Sequence, residues 1–431
     1  MRDIAITVIV IYGLIMTMKR AYVGVLLWSW LSYMNPHRLA YGFAYSMPFA
    51  YITAIALFIS TIFDKEKKKI PFTPITFVWI VFILYMGLTT INAFYFDIAL
   101  ERYIQVVKQQ VVIFFAMALL TDIKKIDQLI WVMVISIGYF SVKGGVFTIL
   151  TGGAHRVWGP PDSLVEGNNE LAVATLMVIP LMVYLSVNQS NKTIKKMLNV
   201  AIALSFIGVL GSQSRGALIA IVAVAFNFWR KSDKKMIVLI MIAVAVPLLL
   251  AFLPETWFDR MNTIKTYDQD ASAMGRINAW YYAFNAANDR ILGMGFDSWT
   301  SETFSLYAPD PNDHHAAHSI YFSALGDHGW PGLIFFLFIF LMSARELIKI
   351  LKNVKCPPQI KFLAKMLQIS MIAYMTGGAF LSLTYFDLAW GIVGIILCLQ
   401  RIVEENEQNV VTVRKSQLTK KMSVKFESGM E

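Results

Sequence analysis

Four of the six histidines in the chain, His314, His315, His318 and His328, fall within fifteen positions. An imidazole titrates near pH 6.5, so its neutral form can take a proton from a hydroxyl. His314 and His318 stand one helical turn apart, a spacing that zinc sites use. The cluster has no Glu beside its first His, as a zinc protease would need, and no nearby Cys to complete a ligand set. One working imidazole is therefore the better expectation, with no metal. His318 is the candidate, because it precedes the apolar-rich stretch 319–325 and the sequence Gly329-Trp330-Pro331-Gly332, which places it at a helix start. A loop histidine is also commonly a surface residue or a satisfied hydrogen-bonding group, and its position alone does not decide.

Three arginines raise a second possibility. Arg156, Arg215 and Arg276 lie between apolar runs where basic residues are otherwise sparse, so each invites the question of which anion it meets. Ser212-Gln213-Ser214-Arg215-Gly216 separates two runs shorter than a comfortable membrane span, which draws the turn toward headgroup level. A helix opening at Gly216 adds free N–H groups and a positive dipole end at that spot. Guanidinium forks grip diphosphate oxygens in pairs and keep their charge, which suits them better than lysine. Snorkelling of Arg215 to a structural phospholipid is an equal alternative, and a lone loop arginine such as Arg156 or Arg276 is commonly solvated or paired locally. Cys356 sits in a Lys-rich loop and Cys398 in an apolar run, so neither a disulfide nor a thiolate metal site is expected.

The elements that must position these residues are apolar helices. Apolar types make up 57% of the 431 residues and charged types 15%, with mean hydropathy +0.57, which points to an all-α polytopic membrane protein. Apolar runs recur along the whole chain and predict about 12 membrane helices at about 20 residues each. The first two, 4–18 and 21–34, are short and suit a tilted or re-entrant pair as well as two full spans. The N-terminus lacks a basic n-region and a cleavage site, so the first run is expected to stay in the fold. About 27 of the 38 Lys and Arg fall on alternate loops, the bias expected for the cytoplasmic side. That distribution accounts for the net charge of +10 without any nucleic-acid partner. The chain then divides into N-terminal membrane helices over 1–253, a large extracytoplasmic loop carrying the site residues over 254–327, C-terminal membrane helices over 328–402 and a solvated polar tail over 403–431. Within the loop, 272–287 reads as an amphipathic helix with Ile277, Trp280, Tyr281 and Phe284 as its apolar face, broken at Gly293-Met294-Gly295-Phe296.

The order of motifs is Ser214-Arg215-Gly216, then Gly275-Arg276 with Trp280, Gly293-Met294-Gly295, His318-Ser319 with Tyr321, and Gly329-Trp330-Pro331-Gly332. It resembles the O-antigen ligase and polymerase superfamily. Upstream, Arg156-Val157-Trp158-Gly159-Pro160-Pro161 with Glu166-Gly167-Asn168-Asn169-Glu170 is similar to the N-terminal half of a subgroup labelled O-glycosylation ligases. The likeness runs from about Tyr22 to Arg401. It implies a GT-C glycosyltransferase of the bacterial inner membrane with a periplasmic active site and a large periplasmic helical loop. The implied donor is an undecaprenyl-diphosphate-linked glycan. The favoured acceptor is a lipid A-core sugar hydroxyl; a protein Ser or Thr, or another lipid-linked repeat in a polymerase, is the alternative. Membrane lipids surround the chain and no cofactor is implied.

By position, the resemblance assigns Arg215 and Arg276, with Arg156, to the diphosphate, and His318 to the role of base. The family often has Asn where Ser319 follows His318, which leaves the ring's orientation open. Asp313, Asp387 and Trp280 are supporting candidates, as are Asp268, Asp270, Asp297, Trp158 and Trp299. A lipid-linked sugar transporter or flippase is the alternative from another class; Lys143 is the main charge inside an apolar run and no two related halves are evident.

Overall fold

The computed structural model describes residues 1–66, 68–232, 234–237, 239–240, 243, 254–255, 257–258 and 271–427, with side chains up to 408. The expected span over 236–253 and the carboxylates Asp268 and Asp270 lie largely or wholly outside the described residues.

Helices α1 (Arg2–Lys19) and α2 (Ala21–Met34) form a pair that turns at Arg20 and packs on α3 (Phe49–Phe63). Two 3-10 turns, Pro36–Leu39 and Phe43–Ser46, link α2 to α3, and Asp3 accepts the N–H groups of Gly42 and Ala44 at 3.0 and 3.1 Å. Next come α4 (Pro74–Ile91), α5 (Phe96–Leu119), α6 (Ile123–Leu150), α7 (Asn168–Asn188), α8 (Lys192–Gly211) and α9 (Arg215–Lys231). Thr73, Asp122, Asn191 and Ser214 cap α4, α6, α8 and α9 through their side-chain oxygens, which satisfies first-turn N–H groups that an apolar surrounding cannot. After the undescribed stretch follow α10 (Ala271–Asp289), α11 (Ser301–Tyr307), α12 (Ile320–Lys352), α13 (Pro358–Gly377) and α14 (Asp387–Glu427).

No strand occurs among the described residues. Four helices there, α4, α6, α7 and α8, are long and apolar enough to cross a membrane. Their burial differs sharply: 83% of the best window of α7 is inside the protein against 28% for α8. Helix α7 is thus a central post, while α8 presents most of its surface outward. Large apolar side chains on α1, among them Ile4, Val8, Ile11 and Ile15, are exposed, as lipid-facing positions are.

The loops gather at two ends. At the basic end, Lys125 pairs with Glu66 and Lys69 with Glu405 at 3.0 Å, and buried Arg401 donates to the carbonyls of Met117 and Leu120 at 2.9 and 2.6 Å. At the other end, Asn35 bonds the Pro161 carbonyl, Asn168 that of Ser212, the Phe94 N–H that of Met294, and Thr384 that of Ile320. The polar stretch after 403 continues α14 as helix to Glu427, with the Lys69–Glu405 pair and Asn353 to Glu407 at 2.9 Å at its start.

Helix α12 is bent. Gly329 has φ 65° and ψ −170°, a region almost confined to glycine that costs an L side chain about 1–3 kcal/mol, and Pro331 follows it. A Cβ at Gly329 would also overlap the Ile291 carbonyl. The bend separates a short segment, 320–328, from the long apolar length that starts at Trp330.

Candidate active site

Arg215 is the first residue of α9, and its N-cap Ser214 accepts the Ala217 N–H at 3.1 Å. The turn before it is anchored from three directions: Asn168 donates to Ser212, Gln213 to the Gly153 carbonyl at 3.0 Å, and the Val157 N–H to Gly211 at 3.1 Å. Gly216 brings α9 against Phe380, where an added Cβ would stand 3.1 Å from the phenylalanine Cβ.

Arg276 enters from α10. The two arginines line one pocket together with Asn169, Ser214, Gly216, Ala217, Ser272, Phe380 and Leu381. Glu170, at the start of α7, interacts electrostatically with Arg276. Its carboxylate lies over Gly167, where any side chain would overlap it.

His318 stands beside this pocket. Its backbone sits at φ 43° and its N–H donates to Ser382 Oγ at 3.0 Å, next to the pocket residue Leu381. Burial, the Arg276 charge and then His315 hold its pKa below the ordinary imidazole value, which keeps the ring neutral. Trp280 donates its indole N–H to the Ala317 carbonyl at 2.8 Å and stacks on Phe322 at 5.0 Å, so it fixes the residue before His318. Asn278 donates to the carbonyls of Asp310 and Asp313 at 2.8 and 2.9 Å and holds the rest of that loop on α10.

Other candidates stand elsewhere. Asp313 pairs with His315 at 2.6 Å and not with His318; this pair sits over Gly275, where a Cβ would come within 2.6 Å of the imidazole. His314 packs against Phe304, so the three neighbouring histidines do not converge. Arg156 is exposed on the loop before α7 and is not part of the pocket wall. Asp387 is buried at the start of α14, where Ser32 donates to one oxygen and the Leu388 N–H to the other at 2.9 Å. Trp158 is exposed and Trp299 donates to Asp327 at 3.0 Å, with Asp297 nearby.

Helix α10 begins and ends near where its periodicity predicts, but its buried face is different. Gly275, Asn278, Ala279, Tyr282, Ala283, Ala286 and Ala287 face inward, while Tyr281 and Phe284 are 53% and 44% exposed. Small residues let α12 pack closely, and the large aromatics at 281 and 284 lie off that contact. The pocket residues Asn169, Ser272, Phe380 and Leu381 had no assigned role in the sequence. Asn169 lies in the quoted 166–170 segment; Phe380 ends, and Leu381 follows, a short 3-10 turn that carries no motif.

An all-α bundle with apolar spans and a polar, arginine-lined pocket at one end defines the class as an α-helical membrane protein. Residues 200–337 match the family described as O-antigen ligase, and residues 1–190 match a family of unknown function (DUF5935). No curated protein matches the chain. The match over residues 200–337 supports the O-antigen ligase superfamily to which the order of the motifs points, and members of that family are glycosyltransferase-like enzymes. Both matched regions build the pocket: Asn169 comes from the first, both arginines from the second, and Phe380 and Leu381 from beyond them.

Proposed function

We propose that the chain transfers glycan from undecaprenyl diphosphate to a lipid A-core sugar hydroxyl, at the periplasmic face of the inner membrane. The observation that carries this reading is the meeting of Arg215 and Arg276 in one pocket, with His318 within electrostatic reach of Arg276. As the acceptor oxygen attacks the anomeric carbon, negative charge grows on the departing diphosphate and a proton must leave the acceptor. The two guanidiniums offset the first and the neutral His318 imidazole takes the second. In-line attack inverts the anomeric centre. The placement of basic loops at the far end supports a periplasmic pocket, and the shorter helices with the bent α12 complete a GT-C bundle of about twelve crossings. Arg156, exposed beyond the pocket wall, fits a role in donor approach.

Two fixed cations stand where a divalent metal would otherwise neutralise the leaving group, so transfer should persist in excess chelator. Complete loss restored by magnesium or manganese would count against that. The central test incubates the purified protein with lipid-linked glycan and, separately, lipid A-core, a Ser/Thr peptide or further lipid-linked repeats. Product on lipid A-core supports the ligase; product only on peptide or glycan reassigns the acceptor. His318→Ala should abolish transfer and retain donor binding, and unaltered transfer removes His318 from the chemistry.

A further inference from the structure

Asp327 is a buried carboxyl, 4% exposed, that the proposed chemistry does not use. Its Oδ1 accepts the Trp299 indole N–H at 3.0 Å and its Oδ2 the Tyr385 hydroxyl at 3.2 Å. Its carbonyl accepts the Gly295 N–H, and that of Gly326 the Met294 N–H, both at 2.9 Å. Trp299 lies directly on Gly326, where an added Cβ would come within 2.8 Å of the indole. On the other side, His328 Nδ1 meets Thr89 Oγ1 at 2.7 Å, and the His328 carbonyl accepts the Tyr85 hydroxyl at 3.0 Å. Residues 326–328, just before the bend at Gly329, are therefore where α4, α12, the 290–300 stretch and the segment before α14 meet.

His318 stands at the opposite end of the short segment this junction holds. At 1.5 Å per residue the segment is about 13 Å long, so a turn of roughly 5° at the bend moves its far end by about 1 Å. A displacement of that size costs a reacting group roughly a hundredfold in rate.

We propose that Asp327 is a positioning residue for the His318 imidazole, locking the 320–328 segment to Trp299 and Tyr385 while it is neutral and loosening that segment when it ionises. The inference rests on the transfer reading above through His318. The charged and titratable groups facing the carboxyl are Asp297 from the 290–300 stretch, Arg102 from α5, Tyr282 from α10, Tyr385 before α14 and His328 beside it. Asp327 lies before the bend, outside the apolar length of α12. Burial first, and then Asp297, outweigh the hydrogen bonds and Arg102, and raise its pKa to about 8. An ionised carboxylate there is a buried charge without a contacting cation among the described residues, which opening toward water relieves.

The test measures kcat and KM for glycan transfer, and the thermal midpoint, across pH 6 to 9.5 (roughly the window around that titration) for the full chain and three variants. Wild-type kcat should fall above about pH 8 with KM little changed. Asp327→Asn, which imitates the neutral acid, should keep kcat within about twofold at neutral pH and lose the alkaline fall; Asp327→Ala should lose about a hundredfold at every pH. Tyr385→Phe removes one of the two bonds of the lock and one that favours the ionised form, so it should lower kcat at neutral pH and move the fall to higher pH. The thermal midpoint provides a readout independent of activity. An acid whose pKa is raised by folding loses stability as pH rises from its unfolded value of 3.8 toward about 8, so the wild-type midpoint should decline across that window and the Asn variant less so. An alkaline fall retained in Asp327→Asn, wild-type kcat in Asp327→Ala, or equal midpoint slopes would overturn the lock. Absence of transfer in the wild type would instead reject the transferase reading, and the midpoint series would still judge Asp327.

Discussion

A guanidinium holds phosphate through two parallel N–H bonds that a lysine of equal charge cannot reproduce. Arg215→Lys and Arg276→Lys are therefore expected to lower kcat/KM for the lipid-linked donor by about 10- to 100-fold, roughly 1.4–2.7 kcal/mol, with little change in thermal midpoint. Wild-type donor kinetics in both would remove the pocket from donor binding. The second residue-scale expectation concerns pH. Burial is the larger cause of the lowered His318 pKa and Arg276 the next, so the acid limb of kcat/KM should lie below pH 6.5. Arg276→Gln removes one of the two main causes, and the limb should then move upward. A limb that stays in place would show that the two side chains do not sense each other.

Helices bring these residues together through close backbone approaches that leave no room for larger groups. On α6 and α8 a Cβ at Gly145 would overlap the Leu204 carbonyl, one at Gly208 would come 2.6 Å from the Ser141 carbonyl, and Ser141 bonds Ser205 at 2.8 Å. Since lipid supplies no hydrophobic drive between spans, such small-residue contacts hold them. Gly145→Leu should cost at least about 1–3 kcal/mol, seen as a lower thermal midpoint in detergent; an unchanged midpoint would mean that these helices do not touch. On α10, the indole bond to Ala317 holds the residue next to His318. Trp280→Phe keeps the stacking on Phe322 and loses that bond. It should reduce kcat several-fold while leaving donor KM alone, whereas a rise in donor KM alone would place Trp280 in substrate binding.

At the scale of the whole molecule, the basic loops collect at one end and the pocket at the other. Both native cysteines are buried, Cys356 at 5% and Cys398 at 0%, so a single introduced thiol can report on each end with little background. A cysteine at exposed Asn312, near the pocket end, should react with an impermeant reagent added to intact spheroplasts. One at exposed Lys355, at the basic end, should react only after lysis. The reverse pattern would place the pocket in the cytosol and remove a periplasmic transfer reaction.

Composition and loop charge determined by themselves that this chain is an all-α membrane protein with a polar end and a basic end, because apolar length and lysine placement are properties of the linear chain. The order of short motifs likewise indicated the superfamily, since its arginines and histidine are spaced along the chain in recognisable surroundings. Tertiary structure alone decided which of those residues meet. Arg215 and Arg276 come to one pocket only because α7, α9, α10 and the turn after α13 close around it, and Arg156 and Asp387, equally plausible as isolated letters, are carried elsewhere. Asp313 turned toward His315 because the missing side chain of Gly275 makes space there. The buried face of α10 differs from its apolar spacing for a related reason: periodicity reports where apolar side chains recur, and only the packing of α12 decides which side of the helix is covered.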